Sequence, residues 1–464
     1  MNGTSQVVQF FDTGVSAAHV ATEIASRLTE SGSRRLDPGD AWRIDPGEAV
    51  HLHLDGTVIA YRAAAENETG LVIAAAHTDS PGLHLKHRSA VLRDGMLQIP
   101  VEVYGAPILA TWTDRELQIV GRIAIDESRQ SRGGVRGTET QPAPIRVTLF
   151  ATRKPTAIIP NLAIHLNREV NENLTYNRQD HLKVLIPIPE DALLHRGDGS
   201  AGVDRSDEWN TPNEHEGSAV PARIIAGILD IDPASIVDME LAVVPVESAR
   251  VIGAGTSALI VSPRVDNLAG CFTVLEGFRA AAGHDSFGQI AIFFDHEEIG
   301  STTAAGAAGD LTRRTIERLL RGRGFDAEGI DRILARSVLV SNDGAHARHP
   351  NYSDKHDAGY APVLGGGPVV KKSAIRRYAT ELPVAAWFAA ACRSVDVPVQ
   401  YLQNRSDIVA GSTIGPAVAS RLVVPSVDVG IPMLSMHSVR ETAALIDITA
   451  TARVFHELFE RGYP

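Results

Sequence analysis

Two adjacent glutamates, Glu297 and Glu298, follow an apolar run from Gln289 to Phe294 that predicts a buried strand. Burying a carboxylate in a protein is costly unless the charge is paired or bound to a metal ion. In the turn after a strand, two neighbouring carboxylates can flank one site, where one binds a metal ion and the other transfers a proton. The alternative for an isolated glutamate pair is a solvated loop, so the other strand ends decide between these interpretations.

Metal-binding side chains recur at further predicted strand ends. His77 and Asp79 follow the apolar run Leu71 to Ala76, and Asp79 could hold the imidazole of His77 through its other ring nitrogen. Three more candidates lie at strand ends or beside the start of a helix: Asp266, Asp343 and His437. Each residue alone could be a turn former or a helix cap. Their joint occurrence at successive strand ends favours a metal site.

The candidate ligands comprise two histidines, two aspartates and one glutamate. Carboxylate oxygens mixed with imidazole suit zinc, manganese or cobalt, and they do not suit iron–sulfur or copper–thiolate chemistry. Five ligands exceed the usual complement of one open catalytic zinc site. They suit two divalent metal ions bridged by one carboxylate, an arrangement that stabilises the transition state of a hydrolysis. The pattern therefore predicts a metallohydrolase.

Strands and helices alternate after Leu241, which predicts an α/β domain whose mostly parallel sheet is covered by helices on both faces. The predicted strands are Leu241 to Val246, Ile290 to Phe294, Ser337 to Ser341, Val399 to Leu402 and Val427 to Gly430. The predicted helices are Asn267 to Ala282, Asp310 to Ala335, Leu382 to Val395, Gly415 to Leu422 and Glu441 to Arg461. Ligands bind beyond the carboxyl ends of the strands in such sheets, where these candidate residues are expected.

A different pattern separates the two halves of this α/β domain. The short strand-like runs there are Met96 to Tyr104 and Leu117 to Ile125. The polar loops are Ser128 to Pro144 and Gly197 to Gly217. We therefore predict a catalytic domain formed by residues 1–85 and 241–464, interrupted by a β-rich domain at residues 86–240.

The composition narrows the class of partner. The chain has 464 residues, a net charge of −12 and two cysteines, Cys271 and Cys392. The negative charge argues against a nucleic-acid surface, and so few cysteines fit a reducing cytoplasm. No apolar run approaches the roughly 20 residues that span a bilayer, and no signal peptide is visible. We expect a cytoplasmic protein that binds neither nucleic acid nor membranes.

Several longer motifs occur in one order along the chain: Ala76-His77-Thr78-Asp79-Ser80-Pro81, Asn161-Leu162-Ala163-Ile164-His165-Leu166-Asn167-Arg168, Pro263-Arg264-Val265-Asp266-Asn267-Leu268, Asp295-His296-Glu297-Glu298-Ile299-Gly300-Ser301, His349-Pro350-Asn351-Tyr352 and Met436-His437-Ser438-Val439-Arg440-Glu441. In these motifs the chain resembles the aspartyl aminopeptidase family. The resemblance implies a three-layer α/β catalytic domain, an inserted β-rich domain used in assembly, and self-association as a dodecamer. It also implies an exopeptidase that acts on peptides with a free N-terminus.

The resemblance also implies roles for the candidate ligands. By position, His77 and Asp343 would hold one metal ion, Glu298 and His437 the other, and Asp266 would bridge the two. Zinc is the expected ion at both positions, with manganese or cobalt as alternatives.

Other site residues come from the same resemblance. Glu297 would be the general base, which takes a proton from the attacking water and passes it to the leaving amine. His165 lies in the inserted domain and would reach the active site of a neighbouring subunit. Lys371 would pair with an acidic substrate side chain, with a solvated loop as the alternative. Apart from the resemblance, His349 lies near Asp343 in the chain and could line the substrate pocket.

These observations predict a metal-dependent aminopeptidase that releases an N-terminal residue, Asp or Glu in the leading hypothesis. A related aminopeptidase with a preference for neutral residues, or a metallohydrolase of acylated amino acids, could use the same ligands. An assembly protein without catalysis is the alternative from another class. Loss of the base or of a ligand would favour that alternative, and the sequence has both.

Overall fold

The structure of the chain, a computed structural model, describes residues 3–93, 96–129, 145–187 and 214–464. The chain divides into two compact units, a larger one of Met1–Ser80 with Ser248–Pro464 and a smaller one of Pro81–Glu247. Among the described residues, no helix is both long enough and apolar enough to cross a membrane.

The described residues form helices and strands along both units. The helices are α1 Gly3–Thr13, α2 Ala17–Glu30, α3 Glu214–Leu229, α4 Val265–Ala280, α5 Leu311–Gly322, α6 Ala327–Leu334, α7 Leu382–Ser394, α8 Ile414–Leu422 and α9 Leu445–Arg461. The strands are β1 Arg34–Arg35, β2 Ala49–Leu54, β3 Thr57–Arg62, β4 Gly70–His77, β5 Gly82–Leu85, β6 Val91–Arg93, β7 Met96–Ile99, β8 Val101–Tyr104, β9 Leu117–Asp126, β10 Ile145–Ala151, β11 Val184–Pro187, β12 Ile236–Pro245, β13 Arg250–Ile252, β14 Leu259–Ser262, β15 Phe287–Phe294, β16 Val338–Asn342, β17 Ala345–His346, β18 Val369–Lys371, β19 Gln400–Leu402, β20 Ser426–Gly430, β21 Pro432–Leu434 and β22 Glu441–Ala444.

A nine-stranded sheet is the centre of the larger unit, with the strand order β1-β2-β3-β15-β4-β16-β20-β18-β19. The four strands β15, β4, β16 and β20 run parallel to one another, and β3 and β18 flank them in the antiparallel direction. Every residue of β4 is buried, because helices cover both faces of the sheet. The predicted α/β class with a mostly parallel sheet is confirmed.

Alternate side chains of β4 enter two different cores, one on each face of the sheet. Val72 and Ala74 belong to the core that also contains residues of α2, α4 and α9. Leu71 and Ile73 belong to the core that contains residues of α5, α6 and α8. The larger unit therefore has three layers, and its central strands end where ligands commonly bind in such folds.

Two of the predicted helices differ from the structure. The helix predicted from Asp310 to Ala335 is two helices, α5 and α6, because Gly324 takes a positive φ of 96° between them and the side chain of Asp326 caps α6. The helix predicted from Glu441 begins at Leu445, because Glu441–Ala444 pairs with β14 and β21 as strand β22. In this second case sheet pairing overrides a local sequence that is compatible with a helix.

The smaller unit is built from antiparallel sheets, with the orders β10-β9-β12-β5-β8 and β11-β7-β6, and from helix α3. Strand β12 contains the predicted strand Leu241 to Val246 as far as Pro245, but it pairs here with β9 and β5, so it does not begin the parallel sheet of the larger unit. The loops predicted from Ser128 to Pro144 and from Gly197 to Gly217 lie outside the described residues over 130–144 and 197–213.

Candidate metal centre

The predicted ligands lie at the ends of strands β4, β15, β16 and β21 and at the start of helix α4. His77 is the last residue of β4, and Asp343 directly follows β16. Glu298 lies in a 3₁₀ turn after β15, Asp266 is the second residue of α4, and His437 comes three residues after β21. Parallel neighbouring strands end at the same edge of the sheet, so residues far apart in the chain meet there.

The carboxylate of Asp266 lies between the two imidazoles. Its Oδ1 atom is 3.4 Å from Nε2 of His77, and its Oδ2 atom is 3.5 Å from Nε2 of His437. Nε2 of His77 is also 3.3 Å from Oδ1 of Asp343, and Nε2 of His437 is 3.5 Å from Oε2 of Glu298. This geometry gives two groups of ligands that share one carboxylate.

Two carboxylate oxygens in this cluster are buried without a hydrogen bond to any described residue, Oδ1 of Asp266 and Oε1 of Glu298. Ligand atoms of His77, Asp266 and Glu298 all lie within 4.8 Å of one another. Buried polar atoms are rarely left without a partner, because the loss of hydration is costly. A cation would satisfy both oxygens, and the set of imidazole and carboxylate donors fits a zinc-type ion.

Asp79 connects the histidine end of the cluster to the glutamate pair. Its Oδ1 and Oδ2 atoms accept hydrogen bonds from the backbone N–H groups of Glu297 and Glu298, both at 3.1 Å. Nδ1 of His77 lies 3.1 Å from the carbonyl oxygen of Asp79 and 3.4 Å from its carboxylate. Because these contacts occupy Nδ1 of His77, the other ring nitrogen, Nε2, faces Asp266 and Asp343. A histidine that binds a metal ion is commonly oriented in this way.

Glu441 is a buried residue of the cluster to which the sequence analysis gave no role. Its carboxylate accepts hydrogen bonds from the backbone N–H groups of Asp266 and His437, and it thereby joins the two segments that carry these ligands. His437 has a positive φ of 65°, a conformation that is uncommon for residues other than glycine. The only sequence signal for Glu441 was its position in the same motif as His437.

Burial and the local excess of negative charge shift the pKa values of the carboxyl groups in the cluster. Burial raises the pKa of Glu297 to about 8, with the charges of Asp343, Asp266 and Asp79 acting in the same direction and that of His77 opposing them. Burial also favours neutral Asp266, yet the neighbouring imidazoles of His437 and His77 hold its pKa well below the usual range. Carboxylates that crowd together in this way attract cations.

Lys371 is buried at the end of strand β18, with 2% of its surface exposed. Its Nζ atom donates a hydrogen bond of 3.2 Å to Oδ2 of Asp343. The alternative that Lys371 lies in a solvated loop is therefore wrong.

His165 is exposed in the smaller unit, where it follows the exposed residues Leu162 and Ile164.

A cleft of about 280 Å³ lies beside the cluster in the larger unit, and we call it the histidine cleft. It is lined by His346, Ala347, His349, Lys355, His356, Asn404, Ile408, Val409, Met433, Leu434, Ser435 and Met436. The methyl groups of Met433 and Met436 and the carboxylate of Asp266 converge around Gly344, which connects the cleft to the cluster. None of the described residues that line it is acidic, and four of them carry basic side chains.

The three-layer fold and a cluster of imidazoles and carboxylates at its strand ends together define a metallohydrolase. Residues 10–459 match the family described as Aminopeptidase I zinc metalloprotease (M18). The chain is 36% identical over 451 residues to the "Probable M18 family aminopeptidase 2" of Pseudomonas aeruginosa (strain UCBPP-PA14), a match that covers 97% of this chain and 96% of that protein.

Solved structures agree with the sequence match. The chain resembles a chain in the cryo-EM structure of the Ape4 and Nbr1 complex with a TM-score of 0.86 and 30% identity, covering 98% of this chain and 85% of that one. It also shares the fold of the mApe1 dodecamer of S. cerevesiae, with a TM-score of 0.78, 21% identity and coverage of 99% and 96%. The chain belongs to the M18 family of metalloaminopeptidases, and the predicted resemblance is confirmed.

Proposed function

We propose that this aminopeptidase releases N-terminal Asp or Glu from peptides. The histidine cleft carries the proposal, because it opens beside the cluster and combines His346, His349, His356 and Lys355 with no acidic residue among its described lining. Burial lowers the pKa of His346 and of His356, so these imidazoles offer N–H hydrogen bonds while Lys355 offers an ammonium group. Both kinds of donor favour the carboxylate of an acidic residue over a neutral side chain. His349 is thus assigned to the substrate pocket.

The cluster is proposed to hold two divalent metal ions, with zinc expected from the family description. His77 and Asp343 would bind one ion, Glu298 and His437 the other, and Asp266 would bridge them, as the sequence analysis predicted. The positions of the two imidazoles on opposite oxygens of Asp266 support this arrangement. The bound ions would polarise the scissile carbonyl and lower the pKa of the attacking water.

Glu297 is proposed as the general base. Its carboxyl group lies close enough to His77, Asp266 and Asp343 for their charges to shift its pKa. The carboxylate of Asp79 accepts a hydrogen bond from the backbone N–H of Glu297 and so fixes its position. From this position Glu297 would take a proton from the attacking water and deliver it to the leaving amine.

The variant Glu297→Gln tests the assignment of the base. Glutamine keeps the size of the side chain but accepts no proton, so we expect peptide turnover to fall by about 100-fold or more. Metal content, measured by elemental analysis, should stay the same as in the wild type. Unchanged turnover would remove Glu297 from the role of base.

A panel of aminoacyl chromogenic substrates tests the acidic preference with the purified, metal-reconstituted protein. We expect a higher kcat/KM for Asp and Glu than for Leu. The methionines and Ile408 in the histidine cleft are the observation that favours the second candidate, an aminopeptidase with a neutral preference. A higher kcat/KM for Leu would establish that candidate, and hydrolysis of N-blocked substrates would indicate an amidohydrolase.

Self-association as a dodecamer is proposed from the likeness to the S. cerevesiae mApe1 dodecamer. Leu162, Ile164 and Leu166 surround His165 with exposed fractions of 60%, 50% and 75%, as expected of a segment that packs on another subunit. His165 would then reach the active site of that subunit. Light scattering should give the mass of twelve chains, and His165→Ala should lower kcat without loss of assembly.

A cytoplasmic location is proposed as well. Cys271 and Cys392 are buried and form no disulfide, as is usual in a reducing compartment. Cell fractionation with antibody detection tests this location, which recovery of the protein from the secreted fraction would contradict.

A further inference from the structure

The segment that carries His165 extends over the surface of the smaller unit without burying its side chains. Every residue from 162 to 175 is exposed or partly exposed. Local hydrogen bonds shape the segment, such as the one that the backbone N–H of Leu166 donates to the carbonyl oxygen of Ala163 at 2.8 Å. An exposed loop of this kind is positioned chiefly by its two ends, which must be held close together.

Both ends of this segment meet at one turn of the smaller unit, where Asn161 precedes the segment and Tyr176 follows it. The side-chain amide of Asn161 donates to Oγ1 of Thr113 at 2.7 Å and to Oδ2 of Asp114 at 2.8 Å. The backbone N–H of Asn161 donates to Oδ1 of Asp114 at 2.9 Å. Its side-chain oxygen accepts from the hydroxyl of Tyr176 at 3.0 Å. We call these four residues, Thr113, Asp114, Asn161 and Tyr176, the segment clamp.

The turn beneath the segment clamp is itself fixed within the smaller unit. Thr113 is buried, with 7% of its surface exposed. The backbone N–H of Asp114 donates to the carbonyl oxygen of Ile159 at 2.9 Å. The guanidinium group of Arg115 lies 2.6 Å from the carboxylate of Glu247. The segment clamp therefore ties an exposed segment to a well-held part of the smaller unit.

Asn161 is the central residue of the segment clamp, because its amide uses both N–H donors and its oxygen at once. Aspartate has the same shape but no donor, and at this position it would put a second carboxylate beside that of Asp114. Two carboxylates in contact repel each other, so this change would open the base of the segment. A displacement of about 1 Å at a catalytic group can lower a rate by about 100-fold.

We propose that the segment clamp positions His165 for the active site of a neighbouring subunit, with Asn161 as its main positioning residue. This inference rests on the proposed function, in which His165 acts on the metal centre of another chain. Because the segment clamp lies in the smaller unit, its effect on catalysis would pass through His165.

The first test breaks the segment clamp and then restores it. Asn161→Asp should lower kcat by about 10-fold or more, because an attractive pair becomes a repulsive one. Combining Asn161→Asp with Asp114→Asn exchanges the two groups and should return kcat to within about threefold of the wild-type value. Asn177→Asp is the matched control, because the amide of Asn177 donates to the carboxylate of Asp180 at 2.6 Å in an exposed turn outside the segment clamp. The control should keep the kcat of the wild type.

The second test asks which subunit loses activity when the segment clamp is broken. Two chains with different tags are co-expressed, and mixed assemblies are isolated through both tags. Chains with Asn161→Asp have an intact metal centre, and chains with Glu297→Gln have an intact segment clamp but no general base. Action on a neighbour predicts about a quarter of the wild-type kcat per chain, because half of the centres are intact and half of those meet an intact segment. If each centre used the segment of its own chain, the mixture would keep only about a twentieth, half of the activity of Asn161→Asp alone.

A mixture that gains no activity would overturn the proposal, and so would a wild-type kcat for Asn161→Asp alone. Failure of the exchanged pair to recover activity would overturn it too. Light scattering confirms that each variant assembles. Tyr176→Phe removes only the hydroxyl that donates to Asn161, and it serves if Asn161→Asp does not assemble. Tyr176→Phe should then show a smaller loss of kcat and the same recovery in the mixture, and a wild-type kcat would overturn the proposal.

Mixing His165→Ala chains with Glu297→Gln chains separates the two possible failures. If this mixture gains no activity, His165 does not act on a neighbouring subunit, and its proposed role is wrong together with that of the segment clamp. If this mixture gains activity and the mixture with Asn161→Asp does not, only the role of the segment clamp is wrong.

Discussion

Asp79→Asn is the change that most directly tests how the glutamate pair is held. Each oxygen of the Asp79 carboxylate accepts one backbone N–H, from Glu297 and from Glu298. Asparagine keeps one acceptor and replaces the other by an NH₂ group, which cannot accept a hydrogen bond from an N–H. We therefore expect the loss of one hydrogen bond to a charged group and a displaced turn.

The size of the effect follows from that bond. A hydrogen bond to a charged group contributes about 1.5 to 3 kcal/mol. If this free energy holds the base and the adjacent ligand in place in the transition state, kcat/KM falls by about 10- to 140-fold, at about 1.4 kcal/mol per factor of ten. Steady-state kinetics with the metal-saturated variant would measure this loss.

Asp447→Asn is a matched control for Asp79→Asn. The carboxylate of Asp447 also accepts two backbone N–H groups, from Gly365 at 2.7 Å and Gly367 at 2.8 Å, but in a loop that carries none of the proposed ligands. Both variants should lose a similar free energy of unfolding, and only Asp79→Asn should lose most of its activity. Equal kcat/KM values for the two variants would refute the idea that Asp79 positions the catalytic turn.

Three further predictions concern metal binding, the connection between ligand segments and pH. Removal of metal with a chelator should abolish turnover, and zinc should restore it at two equivalents per chain, whereas full recovery at one equivalent would contradict a two-ion site. Glu441→Gln should lower kcat/KM by about 10-fold through weaker bonds to Asp266 and His437, and kinetics equal to the wild type would rule out this role. Burial raises the pKa of Glu68 from 4.5 to about 7, so its contribution to the free energy of unfolding is complete below pH 4.5 and is lost, by about 3 kcal/mol, as the pH rises through 7. Glu68→Gln should flatten this pH dependence in denaturant titrations, and an unchanged slope would show that Glu68 is not its source.

Sequence patterns predict most of the elements that position the site, and β4 shows why. Its apolar run is continuous because both faces of a central parallel strand are buried, and the first polar residue after such a run marks the strand end. His77 was therefore recognisable as a strand-end residue without any structure. Helix boundaries were less predictable, as the start of α9 shows, because the pairing of β22 with distant strands determines that boundary.

The environment of Lys371 could not be predicted from its sequence. Lys371 and Lys372 are adjacent and chemically identical, and successive residues of a strand point in opposite directions. Which lysine enters the protein depends on the register of β18 against β20, in which Val370 lies opposite Val429. That register puts Lys371 beside Asp343 and leaves Lys372 next to Tyr401. Only the fold separates a buried ion pair from a surface charge.

The number of carboxyl groups in the cluster supports the proposal of two metal ions rather than one. Six of them lie in or directly behind it: Asp79, Asp266, Asp343, Glu297, Glu298 and Glu441. Lys371 pairs with one of these, and an imidazole that binds a metal ion is neutral, so the histidines add no positive charge when the site is filled. One divalent ion would leave much of this negative charge uncompensated in a buried site, where it is costly. Two ions on opposite sides of Asp266 would offset most of it, which gives an electrostatic reason for both imidazoles to face that single carboxylate.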